Sequence, residues 1–259
     1  MDRIEKIVLL GAGNVSTHLG AALQGTGRRI LQVYSRTIGA AEILARKLDT
    51  DFTTDLNYIY PGADLYIFSL ADNAMEEVLD SFPLKDVFAV HTSGSLPVDI
   101  LQKAGLQAGV FYPLQTFSKT IEPDFSNIPL CIEAKTEKHQ QILYHLASEI
   151  SRDVRFINSK QRETIHIAAV FACNFTNHLF SIAEEILENK EISFDIMYPL
   201  IQETVRKAMQ QKPSLVQTGP AVRKDDKIIQ KHLKQLSTLP DYQKLYNFIS
   251  QSITQNSTK

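Results

Sequence analysis

The feature that most constrains this chain lies near its start. A continuous apolar run, Lys6-Ile-Val-Leu-Leu10, leads directly into Gly11-Ala12-Gly13-Asn14-Val15-Ser16 and then into a helical pattern from Val15 to Gln24. A strand that reads as unbroken hydrophobic residues is covered on both faces, as in parallel sheets flanked by helices. Gly11 permits a tight turn after such a strand, and Gly13 lets the backbone approach a diphosphate closely. The helix start beyond offers unpaired N–H groups and the positive end of its dipole to an anion. Ser16 replaces the third glycine usual in such turns and is still small enough for close helix–strand packing. Gly11, Gly13, Asn14 and Val15 are therefore candidate diphosphate contacts; the alternative is a plain strand–helix turn.

Further apolar runs follow at Arg29–Tyr34, Ala63–Leu70, Val87–His91, Ala108–Tyr112, Leu130–Glu133 and Val154–Ile157, with helical patterns over Ile38–Leu48 and Lys138–Ile150. Strand and helix in alternation predict an α/β fold with a doubly wound parallel sheet. In such sheets ligands lie at the carboxyl ends of the strands, so those ends supply the remaining candidates. The second run ends Val33-Tyr34-Ser35-Arg36-Thr37, without the acid that holds a ribose 2′-hydroxyl in NAD sites. A guanidinium and two hydroxyls suit a 2′-phosphate instead, so Ser35, Arg36 and Thr37 favour NADP over NAD. The alternative is a helix cap beside a surface arginine. Leu70 and Ala71 would pass near a cofactor ribose, and Asp72 reads as a helix cap. His91-Thr92-Ser93-Gly94-Ser95 ends another strand. His91 is a candidate acid–base group, or equally a histidine bonded inside a turn, and Ser93 is a candidate substrate contact. Gln115, in Tyr112-Pro113-Leu114-Gln115-Thr116, is another substrate candidate or a turn cap.

After about residue 157 the strand pattern stops and helical spacing takes over, which divides the chain into 1–157 and an all-α 158–259. Gln161–Asn189 reads as one long helix. Its middle, Ile167-Ala-Ala-Val-Phe-Ala-Cys173, is apolar all round, which predicts a buried central helix. Asn174 and Asn177 sit among those apolar residues. A buried asparagine needs hydrogen-bond partners from a substrate, a cofactor amide or a neighbouring helix, and Asn174 is read as a candidate catalytic residue. His166, two turns earlier, and His178 are read as structural. Further helices are expected over Phe194–Gln210, around Ile228–Leu236 and from Tyr242 to Ile253. Arg223, in the turn Thr218-Gly219-Pro220-Ala221-Val222-Arg223, is a candidate for a substrate carboxylate or phosphate, or a surface charge. Asp225 reads as an N-cap.

The net charge of -2 gives no electrostatic case for nucleic acid or an anionic membrane. No apolar run of spanning length and no secretory leader are read in the sequence, so a cytoplasmic protein is expected. Cys131 and Cys173 stand far apart without CxxC or histidine pairing, which predicts free buried thiols and no metal site.

The Gly11–Ser16 loop, the Ser35-Arg36-Thr37 corner, His91-Thr92-Ser93-Gly94, Pro113-Leu114-Gln115-Thr116-Phe117 and Thr218-Gly219-Pro220-Ala221 occur in this order along the chain. With these motifs the whole chain resembles a bacterial family of NADP-oxidoreductase-like proteins that join a Rossmann domain to a helical domain of unknown function. More distantly it is similar to pyrroline-5-carboxylate reductase, the deazaflavin-dependent NADP reductases and the β-hydroxyacid dehydrogenases, whose helical domains are of the 6-phosphogluconate dehydrogenase type. The resemblance implies NADP binding, hydride transfer to or from an unidentified imine, ketone or hydroxy acid, and a homodimer formed through the helical domain. One departure stands out. β-Hydroxyacid dehydrogenases carry a lysine one helical turn before a helix asparagine; if Asn174 matches that asparagine, the lysine position is Val170. Valine transfers no proton. Pyrroline-5-carboxylate reductase manages without that lysine, so imine reduction stays open, beside a second reading as a non-catalytic NADP-binding sensor or regulator.

Overall fold

The apolar runs form one eight-stranded sheet in a computed structural model that describes residues 3–256. In chain order, β1 (Lys6–Leu10), α1 (Asn14–Gly25), β2 (Arg29–Tyr34), α2 (Ile38–Lys47), β3 (Asp51–Thr53), β4 (Leu65–Phe68), α3 (Asp72–Asp80), β5 (Phe88–His91) and α4 (Asp99–Lys103) come first. Then follow β6 (Gln107–Pro113), β7 (Leu130–Ala134), α5 (Glu137–Ser148) and β8 (Val154–Phe156). The spatial order is β3-β2-β1-β4-β5-β6-β7-β8. The reversal of order between β1 and β4 is the switch point where doubly wound sheets open a ligand crevice.

Every neighbouring pair is parallel except β6 with β7, which run antiparallel. This corrects the expectation of a purely parallel sheet. A parallel partner needs a crossover, usually a helix. The connection over 114–129 carries only a 3₁₀ turn at Phe125–Asn127, so the chain doubles back. The two sheet faces bury separate clusters. One holds Ile7, Leu9, Leu19, Leu23, Leu44 and Leu143; the other holds Val8, Leu10, Tyr66, Phe68, Met75 and Leu101. Alternate residues of one strand thus feed opposite cores, which is why β1 reads as a continuous apolar run.

After the sheet come α6 (Ser159–Ala169), a π-helical segment Val170–Phe175, α7 (Thr176–Glu188), α8 (Tyr198–Gln210), α9 (Asp226–Gln235) and α10 (Pro240–Asn256). The chain divides into two compact units, Met1–Cys173 and Asn174–Lys259. The sheet ends where the sequence pattern changes, yet α6 belongs to the first unit. Its N-cap Asn158 and Gln161 form a reciprocal capping box, and the fully buried Arg162 ties it to the sheet. In the second unit Asp225 caps α9 by accepting the Ile228 N–H, and α9 meets α10 through His232 Nδ1 and the Tyr246 hydroxyl, 2.8 Å apart.

Two expectations about the long helical stretch fail. Ile167, Phe171, Phe175 and Leu179 are 57, 66, 49 and 40% exposed, so this is not a buried helix within the chain. Cys131 is buried as expected, but Cys173 is exposed. Among the described residues, the helix Ser159–Glu188 is also long and apolar enough, by length and composition, to cross a membrane. The long helix was expected, but its spanning-type composition was not, because Asn174, Asn177 and His178 interrupt the apolar run while the helix continues through them.

Candidate functional site

The first turn of α1 is built to receive an anion. Gly11 has φ +117°, and its N–H donates to the Tyr34 carbonyl at 2.7 Å. A Cβ placed there would lie 2.1 Å from the Ser69 carbonyl oxygen, so this position needs glycine to bring β1 and β4 together. Gly13 has a different task. Its backbone is ordinary (φ -82°, ψ -171°), and nothing lies within 4 Å of where a Cβ would be. The open space sits over the helix start, where the N–H groups of Asn14, Val15 and Ser16 have no intrahelical acceptor. No acid occupies the first turn of α1, so nothing opposes a phosphate. The Asn14 side chain is committed elsewhere, donating to the Phe117 carbonyl at 2.8 Å, so Asn14 can offer an anion only its backbone. His18 Nε2 lies 2.7 Å from the Ser118 carbonyl and its ring stacks on Phe117, which fixes the same segment over α1.

Beside this turn, a cleft of about 470 Å³ is lined by Tyr34, Arg36, Asp55, Leu56, Glu77 and Val78, among others. Its volume falls in the range of small-molecule sites. Arg36 is exposed and reaches Glu77 Oε2 at 3.3 Å. An exposed ion pair of this kind is worth about 0–1 kcal/mol, less than a charge-assisted hydrogen bond to phosphate at about 1.5–3 kcal/mol. The pair therefore leaves the guanidinium available to a phosphate. The Ser35 hydroxyl lies 3.4 Å from the Thr37 N–H, and Thr37 leaves α2 without a side-chain cap. Leu70 is half-buried against Gly11, and Ala71 is exposed at the start of α3.

The other strand ends depart from expectation because their polar groups bond one another. Asp72 does not cap α3: the N-cap is Ala71, and the Asp72 carboxylate instead accepts the Ser95 hydroxyl. Thr92 Oγ1 donates to Ser69 Oγ at 3.1 Å, joining the ends of β4 and β5. Ser93 Oγ accepts the N–H groups of Ser95 and Leu96 at 3.1 and 3.0 Å, so this hydroxyl organises the turn and is not free for a substrate. Gln115 Oε1 accepts the Thr116 N–H at 2.8 Å, the turn-capping alternative. His91 is fully buried; its Nδ1 accepts the Ser93 N–H at 3.2 Å, and among the described residues Nε2 makes no hydrogen bond of good geometry. Burial, reinforced by the Arg162 charge, lowers its pKa to about 4. His91 is a neutral turn residue, not an accessible acid–base group.

Three residues gain importance that the sequence did not signal. Arg162 is fully buried, and its guanidinium donates to the carbonyls of Ser93 and Leu96 at 3.1 and 2.5 Å and to Glu133 Oε2 at 2.7 Å. It anchors the β5 loop to β7 and α6. Tyr112 and His166 meet beside Gly94, with the hydroxyl 3.3 Å from Nδ1. His166, read as structural, is thus part of the strand-end cluster. Asn174, expected to be buried, is exposed within the π-helical segment, and Arg223 is exposed in its turn; both belong to the second unit. That unit also holds an apolar cavity of about 250 Å³ between α7, α10 and Thr218–Ala221.

Residues 128–253 match the model of a family described as a domain of unknown function, DUF2520. The crystal structure of the putative NADP oxidoreductase from Bacteroides fragilis is 44% identical, with 97% of this chain and 98% of that chain covered and a TM-score of 0.92. The chain belongs to the same NADP oxidoreductase family. No curated protein matches it. The imine reductase from Myxococcus stipitatus, solved with NADP+, is 13% identical, with 96% of this chain and 92% of that one covered at a TM-score of 0.66. Pyrroline-5-carboxylate reductase from Coxiella burnetii is 12% identical, with 99 and 98% covered at a TM-score of 0.57. These two likenesses show that this member of the NADP oxidoreductase family shares a Rossmann-type sheet followed by helices with both.

Proposed function

We propose that this chain binds NADP(H) and transfers hydride between it and a small imine or carbonyl compound. One observation carries the reading: an open Gly13 turn beside a strand-end corner that holds Arg36 and lacks the acid of NAD sites. The backbone N–H groups of Val15 and its neighbours would hold the diphosphate. Arg36, Ser35 and Thr37 would hold the 2′-phosphate, and Leu70 and Ala71 would flank the ribose. Bound there, NADPH supplies the hydride, and the protein supplies position and polarity. Asn174 and Arg223 are the groups of the second unit proposed to serve the substrate.

Arg36→Ala is expected to weaken NADPH by about 1.5–3 kcal/mol, roughly ten- to a hundredfold, and to leave NADH nearly unchanged. Calorimetric titration with both nucleotides checks this; equal losses would place the 2′-phosphate elsewhere. Turnover is tested by following NADPH absorbance with imines, ketones and aldehydes. Bound NADPH that no compound oxidises would favour the sensor reading, which Val170 motivates.

The same proposal includes a homodimer. Exposed Ile167, Phe171, Phe175 and Leu179 recur every fourth residue, an apolar stripe of the kind monomers rarely leave in water. Light scattering of the whole protein should give twice the 29.2 kDa chain mass. A single-chain mass would remove the second copy from the account.

A further inference from the structure

The end of β6 places a titratable pair beside the β5 loop. Tyr112 is half-buried, its hydroxyl 3.3 Å from Nδ1 of the half-buried His166, and the two rings meet edge to face with centroids 6.3 Å apart. Gly94 passes directly over them. A Cβ there would lie 2.5 Å from His166 Nδ1 and 3.0 Å from Tyr112 Cζ, so glycine keeps the loop clear of both groups. Among the described residues, neither polar tip has another hydrogen-bond partner. The remaining titratable side chain of the loop, His91, is sealed from solvent. In doubly wound sheets the two halves of a dinucleotide lie on either side of the switch point. With the adenosine end beside β2, the reactive ring falls on the β4–β5–β6 side, where this pair stands.

We infer that Tyr112 is the proton donor of the reaction and that His166 reloads it. The inference rests on the oxidoreductase reading above. Bound NADPH would supply hydride to the carbon of a C=N or C=O bond, and the π electrons would move onto nitrogen or oxygen. The Tyr112 O–H bond breaks, and its proton goes to that atom. The phenolate left behind takes the Nδ1 proton of His166 as a solvent acid protonates Nε2, so the ring stays neutral and one solvent proton is consumed per turnover. Oxidation runs the same steps backwards. His166 touches the Tyr112 hydroxyl, and the other charged or titratable groups acting on it are Arg162 from α6, Cys131 from β7 and Asp72 from α3. Burial raises the phenol pKa, outweighing the opposing Arg162 charge, so the donor stays loaded at neutral pH. Tyr112 is thus a catalytic residue, and His166 acts through it.

The test uses the full chain and the variants Tyr112→Phe, His166→Gln and His166→Ala. Without nucleotide, the His166 ring is followed by NMR from acid to alkaline pH, its signal assigned by its loss in His166→Gln. The midpoint should shift in Tyr112→Phe; an unmoved midpoint overturns the pair whether or not any substrate is turned over. NADPH affinity, read by fluorescence, should be that of wild type in all variants. Wild-type protein that binds no NADPH fails the cofactor reading, and the ring titration still judges the pair. With NADPH and a methylpyrroline, cyclohexanone or benzaldehyde, Tyr112→Phe should lose roughly 10²- to 10⁴-fold in turnover. His166→Gln should move the alkaline limb of the pH profile, and imidazole in the buffer should restore His166→Ala. Tyr112→Phe turning over like wild type overturns the donor assignment, as does wild-type protein that binds NADPH and reduces none of the three.

Discussion

Arg162→Met is expected to destabilise the protein by about 3–5 kcal/mol, the usual cost of stripping one partner from a buried ion pair. The guanidinium is fully buried and holds four acceptors: the Ser93 and Leu96 carbonyls, Glu133 Oε2 and Ser159 Oγ. Removing it strands Glu133, 17% exposed, with only the Ser159 hydroxyl, among the described residues, as donor at 2.8 Å. The Ser93 and Leu96 carbonyls lose a donor as well. Methionine fills most of the volume, so the loss reports charge and hydrogen bonding more than a cavity. Glu133→Met added to Arg162→Met should recover part of the stability, because an apolar pair strands no charge. Urea unfolding followed through the sheet unit gives both numbers. A loss below about 1 kcal/mol would mean the pair behaves as a surface contact.

The second large effect is a loss of stability in acid. Burial, and then the Arg162 charge, hold His91 neutral down to a pKa of about 4, while the Pro97 carbonyl and Asp72 pull upward by less. An unfolded histidine takes up its proton near the ordinary value of about 6.5. Between these two values the unfolded chain binds more protons than the folded one, so stability falls as pH drops through that window and is intact above it. The full window corresponds to about 3 kcal/mol. Asparagine at 91 can still accept the Ser93 N–H but does not titrate, so His91→Asn should flatten this part of the pH dependence. Urea midpoints at mildly acidic and neutral pH compare the two proteins. Parallel curves would show that His91 is solvated, or is protonated when folded.

The sheet was legible wherever strands are buried on both faces. β1 and β2 follow their apolar runs because no residue in them is spared for solvent. β3 was missed, since three residues at the sheet edge, with Asp51 and Phe52 exposed, make no apolar run. The direction of β7 was hidden too: Leu130–Glu133 reads like its neighbours, and only the helix-free connection before it decides. At the site, sequence showed which residue types gather at strand ends but not which are already committed. Ser93 and Gln115 bond within their own loops and Asp72 bonds Ser95 of the neighbouring one, and a side chain already bonded looks the same in sequence as one awaiting a ligand. Arg162 carried no signal because a charge in the first turns of a helix ordinarily faces water. The long helix was misread for the converse reason. Apolar composition says that a surface needs covering, and not whether the same chain or a second copy covers it.

The central claim is a dinucleotide diphosphate lying on the start of α1 at Gly13. Titrating wild type and Gly13→Val with NADPH tests it most directly. The Cβ of a valine there meets nothing within 4 Å and the backbone dihedrals are ordinary, so the variant should fold at a cost of about 1 kcal/mol while its side chain occupies the phosphate position. The account predicts micromolar NADPH binding by wild type and at least roughly tenfold weaker binding by folded Gly13→Val. Undiminished binding by that variant, or no binding by wild type, would contradict it.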